Sequence, residues 1–180
     1  MTRFVALTLL LAGTAVAAPV PRSLRTIDPT RPNTNAVLKR FAGKFKPSAS
    51  SEFQGWGVAK AFDGDPQTSW FSNNQDAPMN GAKPWVKVTF PEATSVRRVT
   101  VLGNREPQYP TGYSVPAGTI ELLDANGKVL FGRDVKAVGD KFDLTLLPRM
   151  AIGGVRAVKV TATEDQKQFN CIGLAEIQIE

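Results

Sequence analysis

Apolar and polar residues alternate along much of this chain. Val86, Val88 and Phe90 alternate with Lys87 and Thr89, the two-residue period of a strand with one buried face. Val99 and Val101 follow, then Ile120 and Leu122. Asp124-Ala125-Asn126-Gly127 predicts a hairpin turn, because both Asn126 and Gly127 tolerate positive φ. Val129 and Phe131 answer on the return strand. Phe142, Leu144 and Leu146 alternate again, as do Val158, Val160 and Ala162. The chain ends on Ile177 and Ile179 alternating with Glu176, Gln178 and Glu180. From residue 47 onward no stretch shows a 3.6-residue apolar period, and no repeat is present. Short strands separated by Gly/Pro turns predict an all-β domain over 47–180, a sandwich or jelly roll.

The first residues follow a different rule. Arg3, the apolar run Phe4 to Ala12 and the small-x-small triplet Ala15-Val16-Ala17 have the three-part form of a secretory leader. Residues 1–17 are therefore expected to be a signal peptide, cleaved between Ala17 and Ala18. The run is short for a bilayer span, and no other span is long and apolar enough to cross a membrane. Leu11-Ala12-Gly13-Thr14 carries threonine where a lipobox needs cysteine, so anchoring by lipid at that point is not expected. The mature protein is expected outside the cytoplasm, periplasmic or extracellular.

Charge divides the chain again. The formal net charge is +6. Residues 18–46 hold Arg22, Arg25, Arg31, Lys39, Arg40, Lys44 and Lys46 against Asp28. Residues 47–180 are close to neutral. Pro19, Pro21, Pro29 and Pro32 discourage regular structure. This segment reads as a basic, Pro-containing linker or tail, which could attach electrostatically to an anionic surface. Its charges are dispersed and lack the interleaved aromatics that stack on bases, so nucleic acid is not the expected partner.

The chain has no histidine and one cysteine, Cys171. The commonest general base and transition-metal ligand are thus missing, and neither an intrachain disulfide nor a cysteine zinc site can form. No nucleophile–base motif is visible. The expectation is a non-catalytic module.

Several motifs occur in order: Ser48-Ala49-Ser50-Ser51-Glu52; Ala59-Lys60-Ala61-Phe62-Asp63-Gly64-Asp65; Thr68-Ser69-Trp70; Pro84-Trp85-Val86-Lys87-Val88-Thr89-Phe90; and Gly173-Leu174-Ala175-Glu176-Ile177. Together they resemble the discoidin, or coagulation-factor type C, domain over about residues 45–180. That family lies in the galactose-binding-like superfamily and shares its fold with bacterial carbohydrate-binding modules. The resemblance implies a galactose-binding-like jelly-roll β-sandwich. The cysteine pair of many animal members and the frequent sugar-binding histidine are absent here.

Asp63, Asp65 and Thr68 put three oxygen-bearing side chains in one loop that Gly64 lets turn sharply. Such a loop suits Ca²⁺, which takes six to eight oxygens. The resemblance adds the carbonyl near Ala61 and Glu176 on the last strand, giving a structural calcium site. Without it, the same residues read as an acidic turn with Asp63 capping its own backbone.

Trp70 and Trp85 are expected in the core. Trp56, in the glycine-flanked loop Phe53-Gln54-Gly55-Trp56-Gly57, reads either as a platform for a sugar ring or as a lid folded onto the core. The loops carrying Asn104 and Arg105, and Phe169 and Asn170, are expected to meet it at one end of the sandwich. An aromatic, amides and a guanidinium there suit a glycan or cell-envelope polysaccharide, with Arg105 favouring an anionic or heavily hydroxylated one. The alternative is an extracellular adhesion or scaffold protein whose loops grip a protein partner or phospholipid headgroups.

Overall fold

The computed structural model describes residues 32–109 and 111–180. The leader and its cleavage point lie outside those residues. The fold is a jelly-roll β-sandwich of two antiparallel sheets. The larger sheet has the order β1 (Lys46–Ala49), β3 (Trp85–Val96), β8 (Ile152–Glu164), β5 (Ala117–Leu123) and β6 (Val129–Lys136). The smaller has β2 (Trp70–Phe71), β9 (Gly173–Ile179), β4 (Val99–Gly103) and β7 (Leu144–Leu146). Among the described residues no helix is long and apolar enough to cross a membrane.

The alternation read from the sequence is the alternation of faces. Val86, Val88 and Phe90 of β3 point inward beside Val158 and Val160 of β8 and Ile120 and Leu122 of β5. They meet Val99 and Val101, Leu144 and Leu146, and Ile177 and Ile179 from the other sheet. Trp70 is fully buried, and its indole N–H donates to the Ser51 carbonyl at 3.0 Å. That bond satisfies the ring's one polar group inside an apolar core.

Trp85 departs from expectation. It is only half-buried, because its odd-numbered position turns it to the outer face of β3 with Lys87 and Thr89. There the ammonium groups of Lys87 and Lys159 each lie 5.6 Å from its ring. The hairpin turn also differs in detail. Gly127 alone takes positive φ, at 80°, and the register slips between Leu122 and Leu123. A turn followed by one left-handed glycine and a bulge joins the strands, so Asn126 needs no positive φ.

The folded unit begins before residue 46, inside the segment read as a linker. Helix α1 (Ala36–Arg40) and the turn after it bury Val37, Leu38 and Phe41. The Phe41 ring stacks on Phe90 with centroids 5.6 Å apart. Asn33 donates to Thr100 and to the Gln178 carbonyl, both at 3.2 Å. The backbone N–H of Ile179 donates to the Asn35 side chain at 2.9 Å. Arg98, nearly fully buried, donates to the Pro32 carbonyl at 2.9 Å and to Glu180 at 2.5 Å. A helix of five residues is too short to show an apolar period, and Lys39, Arg40 and Lys44 hide its three core residues in a basic run.

Candidate functional site

Loops at one end of the sandwich converge on a concave site of about 350 Å³. They follow β1, β2, β4 and β8. The walls are Phe53, Trp56, Phe71, Tyr109, Tyr113 and Phe169, with Asn74, Asn170 and Cys171 between them. Tyr113 and Phe169 lie flat on one another, 3.9 Å apart and 8° from parallel. Tyr109 meets the edge of Trp56 at 5.4 Å and that of Phe71 at 5.3 Å. Edge contacts of this kind hold each ring in a fixed orientation.

The backbone makes these approaches feasible. A Cβ on Gly112 would stand 2.1 Å from the Gln168 side-chain oxygen and 2.9 Å from the Phe169 ring. A Cβ on Gly173 would stand 2.7 Å from the Phe71 ring. Both glycines are needed for space, since neither has positive φ.

The basin carries no charge at neutral pH. Burial pushes the Tyr113 phenol above its ordinary value, helped by Cys171 and Tyr109 nearby. Burial also raises the Cys171 thiol. Hydrogen bonding is left to the amides of Asn74 and Asn170, each with donors and an acceptor. Aromatic walls plus two amides suit an uncharged ligand with an apolar face.

Of the five ligand-site residues read from the sequence, Trp56, Phe169 and Asn170 are brought together here. Asn104 and Arg105 are not. Asn104 is buried, and its carbonyl accepts from the Ser69 hydroxyl at 2.8 Å and the Glu106 N–H at 3.1 Å. It braces the loop from beneath. The Arg105 guanidinium grips both oxygens of Asp143, at 2.9 and 2.7 Å. A guanidinium so paired, outside the lining, gives the basin no cation. The amide and guanidinium were legible by type, but their direction depends on a carboxylate 38 residues away. Phe53, Phe71, Asn74, Tyr109 and Tyr113 were not singled out from the sequence. Phe71 sits on a strand of two residues and Tyr113 in a single 3-10 turn, and segments so short show no period.

The expected calcium residues lie on the flank of the same fold. Ala61 is buried in a 3-10 helix, Val58–Phe62, which leads into the Asp63–Thr68 turn. The Thr68 hydroxyl donates to Asp63 at 2.7 Å. Asp63 and Asp65 accept from the N–H groups of Asp65 and Gln67, both at 2.9 Å. The Gly64 N–H donates to one Glu176 oxygen at 3.1 Å. Glu176 is 1% exposed, and its other oxygen is buried with no hydrogen-bond partner. Its pKa is raised to about 8, chiefly by burial and also by the charges of Asp63 and Asp65, against the Gly64 bond, which lowers it. Among the described residues no three carboxylates close into a ready metal cluster. The donor set is nonetheless hard oxygen throughout, and a partnerless buried carboxylate oxygen beside two acids is chemistry that a hard cation would complete.

Comparison with known proteins agrees with the motifs. Residues 46–124 match the family model of the F5/8 type C domain, the discoidin family that those motifs resemble. No curated protein matches the chain. Similar solved structures include the F5/8 type C domain of a Bacteroides fragilis protein, at TM-score 0.60 and 17% identity over 75% of this chain and 89% of that one. Another is the family 32 carbohydrate-binding module of Clostridium perfringens NanJ in complex with galactose, at 0.59 and 19% over 75% and 92%. A third is a Streptococcus pneumoniae fucose-binding module, at 0.59 and 12% over 75% and 92%. These likenesses establish the shared jelly-roll fold.

Proposed function

We propose that this F5/8 type C-like domain is a secreted, non-catalytic carbohydrate-binding module that seats an uncharged glycan on its aromatic basin. The observation that carries this reading is the convergence of six rings and two amides on one uncharged hollow. Indole and phenyl faces pack on the C–H faces of sugar rings, and side-chain amides bond vicinal hydroxyls. Structural relatives that hold galactose or bind fucose support the class. Arg105 is spent on Asp143, so the anionic preference read from the sequence gives way to a neutral one. The three-part leader supports export.

In the same reading Asp63, Asp65, Thr68 and Glu176 hold a calcium ion that braces the turn after the 3-10 helix. The unpartnered Glu176 oxygen supports this. The ion's part is structural: it would keep Glu176 ionised and stiffen a fold that has no disulfide. A glycan array probed with the mature protein, with calcium and with chelator, tests the function. Binding to neutral glycans is expected. An array on which no glycan is retained would overturn the carbohydrate reading.

A further inference from the structure

The end of the sandwich opposite the basin has the contrary electrostatic character. Strand β9 runs from Gly173, against the Phe71 ring, to Ile179, beside Asn35. Its seven residues separate the two ends by about 20 Å. The far end is built from residues 36–45, the β3–β4 corner over 91–98, and the loop 147–151. These carry Lys39, Arg40, Lys44, Arg97, Arg98 and Arg149 against Glu92, with Glu180 completing the face. The basin loops, 52–57, 73–83, 104–113 and 164–171, carry five acids and three basic residues. Charge is thus segregated along the sandwich axis.

The basic end also has a seat. A groove of about 350 Å³ runs between α1 and the β3–β4 corner. Arg40 and Arg97 stand in its lining with Thr94 and Ser95. Their side chains are about half exposed, 59% for Arg40 and 47% for Arg97. The Glu180 carboxylate in the same groove is held by Arg97 and Arg98. Each guanidinium already pairs with one carboxylate, Arg40 with Glu92 and Arg97 with Glu180, but both are far more exposed than the Asp143-bound Arg105, which is 21% exposed. Their remaining N–H groups and the two hydroxyls make a donor set for a tetrahedral oxyanion. Within 36–45, 91–98 and 147–151, Met150 is the one exposed large apolar side chain, which disfavours a bilayer-inserting surface.

We propose that this basic end is a second binding face, for a polysaccharide carrying sulfate or phosphate groups. Arg40 and Arg97 take one oxyanion in the groove, and Lys39, Lys44 and Arg149 meet neighbouring charges along the polymer. A domain seated this way on an anionic matrix directs its aromatic basin outward. Among the described residues the chain enters at this end, at Pro32.

The test uses the full mature chain and three double variants. Arg40→Gln/Lys44→Gln removes two charges from the face, and Arg133→Gln/Lys136→Gln removes two from the exposed strand β6. Binding to dextran sulfate is measured at low and high salt, with uncharged dextran and phosphatidylglycerol vesicles alongside. The proposal expects salt-sensitive binding to dextran sulfate and none to dextran. It expects the first variant to bind about tenfold more weakly and the second to bind nearly as the wild type. Lys39→Gln/Lys44→Gln, which leaves the groove and its ion pairs intact, should also weaken binding. Equal losses in the face and strand variants would reduce the effect to net charge and overturn the proposal. Retention on vesicles without retention on dextran sulfate would do the same.

Discussion

Tyr113 and Phe169 stack ring on ring, 3.9 Å apart, across two loops separated by more than fifty residues of sequence. The stack exists because Gly112 leaves room for it. One glycine and two rings therefore set one wall of the basin, which leads to the first prediction.

Gly112→Ala should weaken glycan binding while leaving the fold in place. The added methyl must displace the Phe169 ring and the flexible Gln168 end. A misplaced wall should cost about 1–2 kcal/mol, a loss of roughly five- to thirtyfold in affinity. Titration with a glycan identified on the array, paired with a thermal melt, checks both halves. Undiminished affinity would mean that the Tyr113–Phe169 wall does not touch the ligand.

Glu176 predicts a pH dependence with a definite sign. Its folded pKa is raised to about 8 from an ordinary 4.5. Between those values the native state keeps a proton that the unfolded state has released. Metal-free protein should therefore lose stability as pH rises from about 4.5 to 8, with a slope of order 1 kcal/mol per pH unit. The penalty is absent below the window and complete above it. Glu176→Gln carries no titrating group and should flatten this slope. Denaturant melts in chelator across pH 5–8 decide it, and parallel slopes for both proteins would remove Glu176 as the cause.

Calcium should act on the same residue in the opposite direction. An ion bound only by the native state stabilises by about 2.7 kcal/mol at a hundredfold excess over its dissociation constant. The gain should appear as a raised melting temperature at pH 7.5 in wild-type protein. Asp63→Asn and Glu176→Gln should respond much less. Identical melts with calcium and with chelator, from protein first shown to be metal-free, would rule the ion out.

The N-terminal strap is predicted to belong to the domain. Phe41, 4% exposed and stacked on Phe90, should cost about 3–5 kcal/mol when changed to Ala. A chain beginning at residue 32 should melt like the mature protein. One beginning at Lys46, where the family match starts, should melt far lower, because it uncovers Phe90 and strips Arg98 of its Pro32 partner. Equal melting of the two truncated chains would show the strap to be dispensable.

These cases also show what the sequence could and could not reveal. Strand alternation exposed the sandwich, because burial of one sheet face imposes a period of two on residues such as Val86, Val88 and Phe90. The ordered motifs linked Asp63 and Asp65 to Glu176, more than a hundred residues further along the chain. The strap stayed hidden because five helical residues carry no period. The basin was half legible: Trp56 and Phe169 stood out as loop aromatics, whereas Tyr109 and Tyr113 acquire meaning only from rings packed against them. Arg105 was legible by its charge, whereas its pairing with Asp143 depends on a residue far along the chain.

In the proposed function an uncharged glycan sits among the aromatic walls and not on the Arg105 loop. Isothermal titration of an array-selected neutral glycan into the wild type, Phe169→Ala and Arg105→Gln tests it most directly. At least a tenfold loss of affinity is expected for Phe169→Ala, worth about 1.4 kcal/mol, and little change for Arg105→Gln. The reverse pattern, with affinity kept by Phe169→Ala and lost by Arg105→Gln, would contradict it.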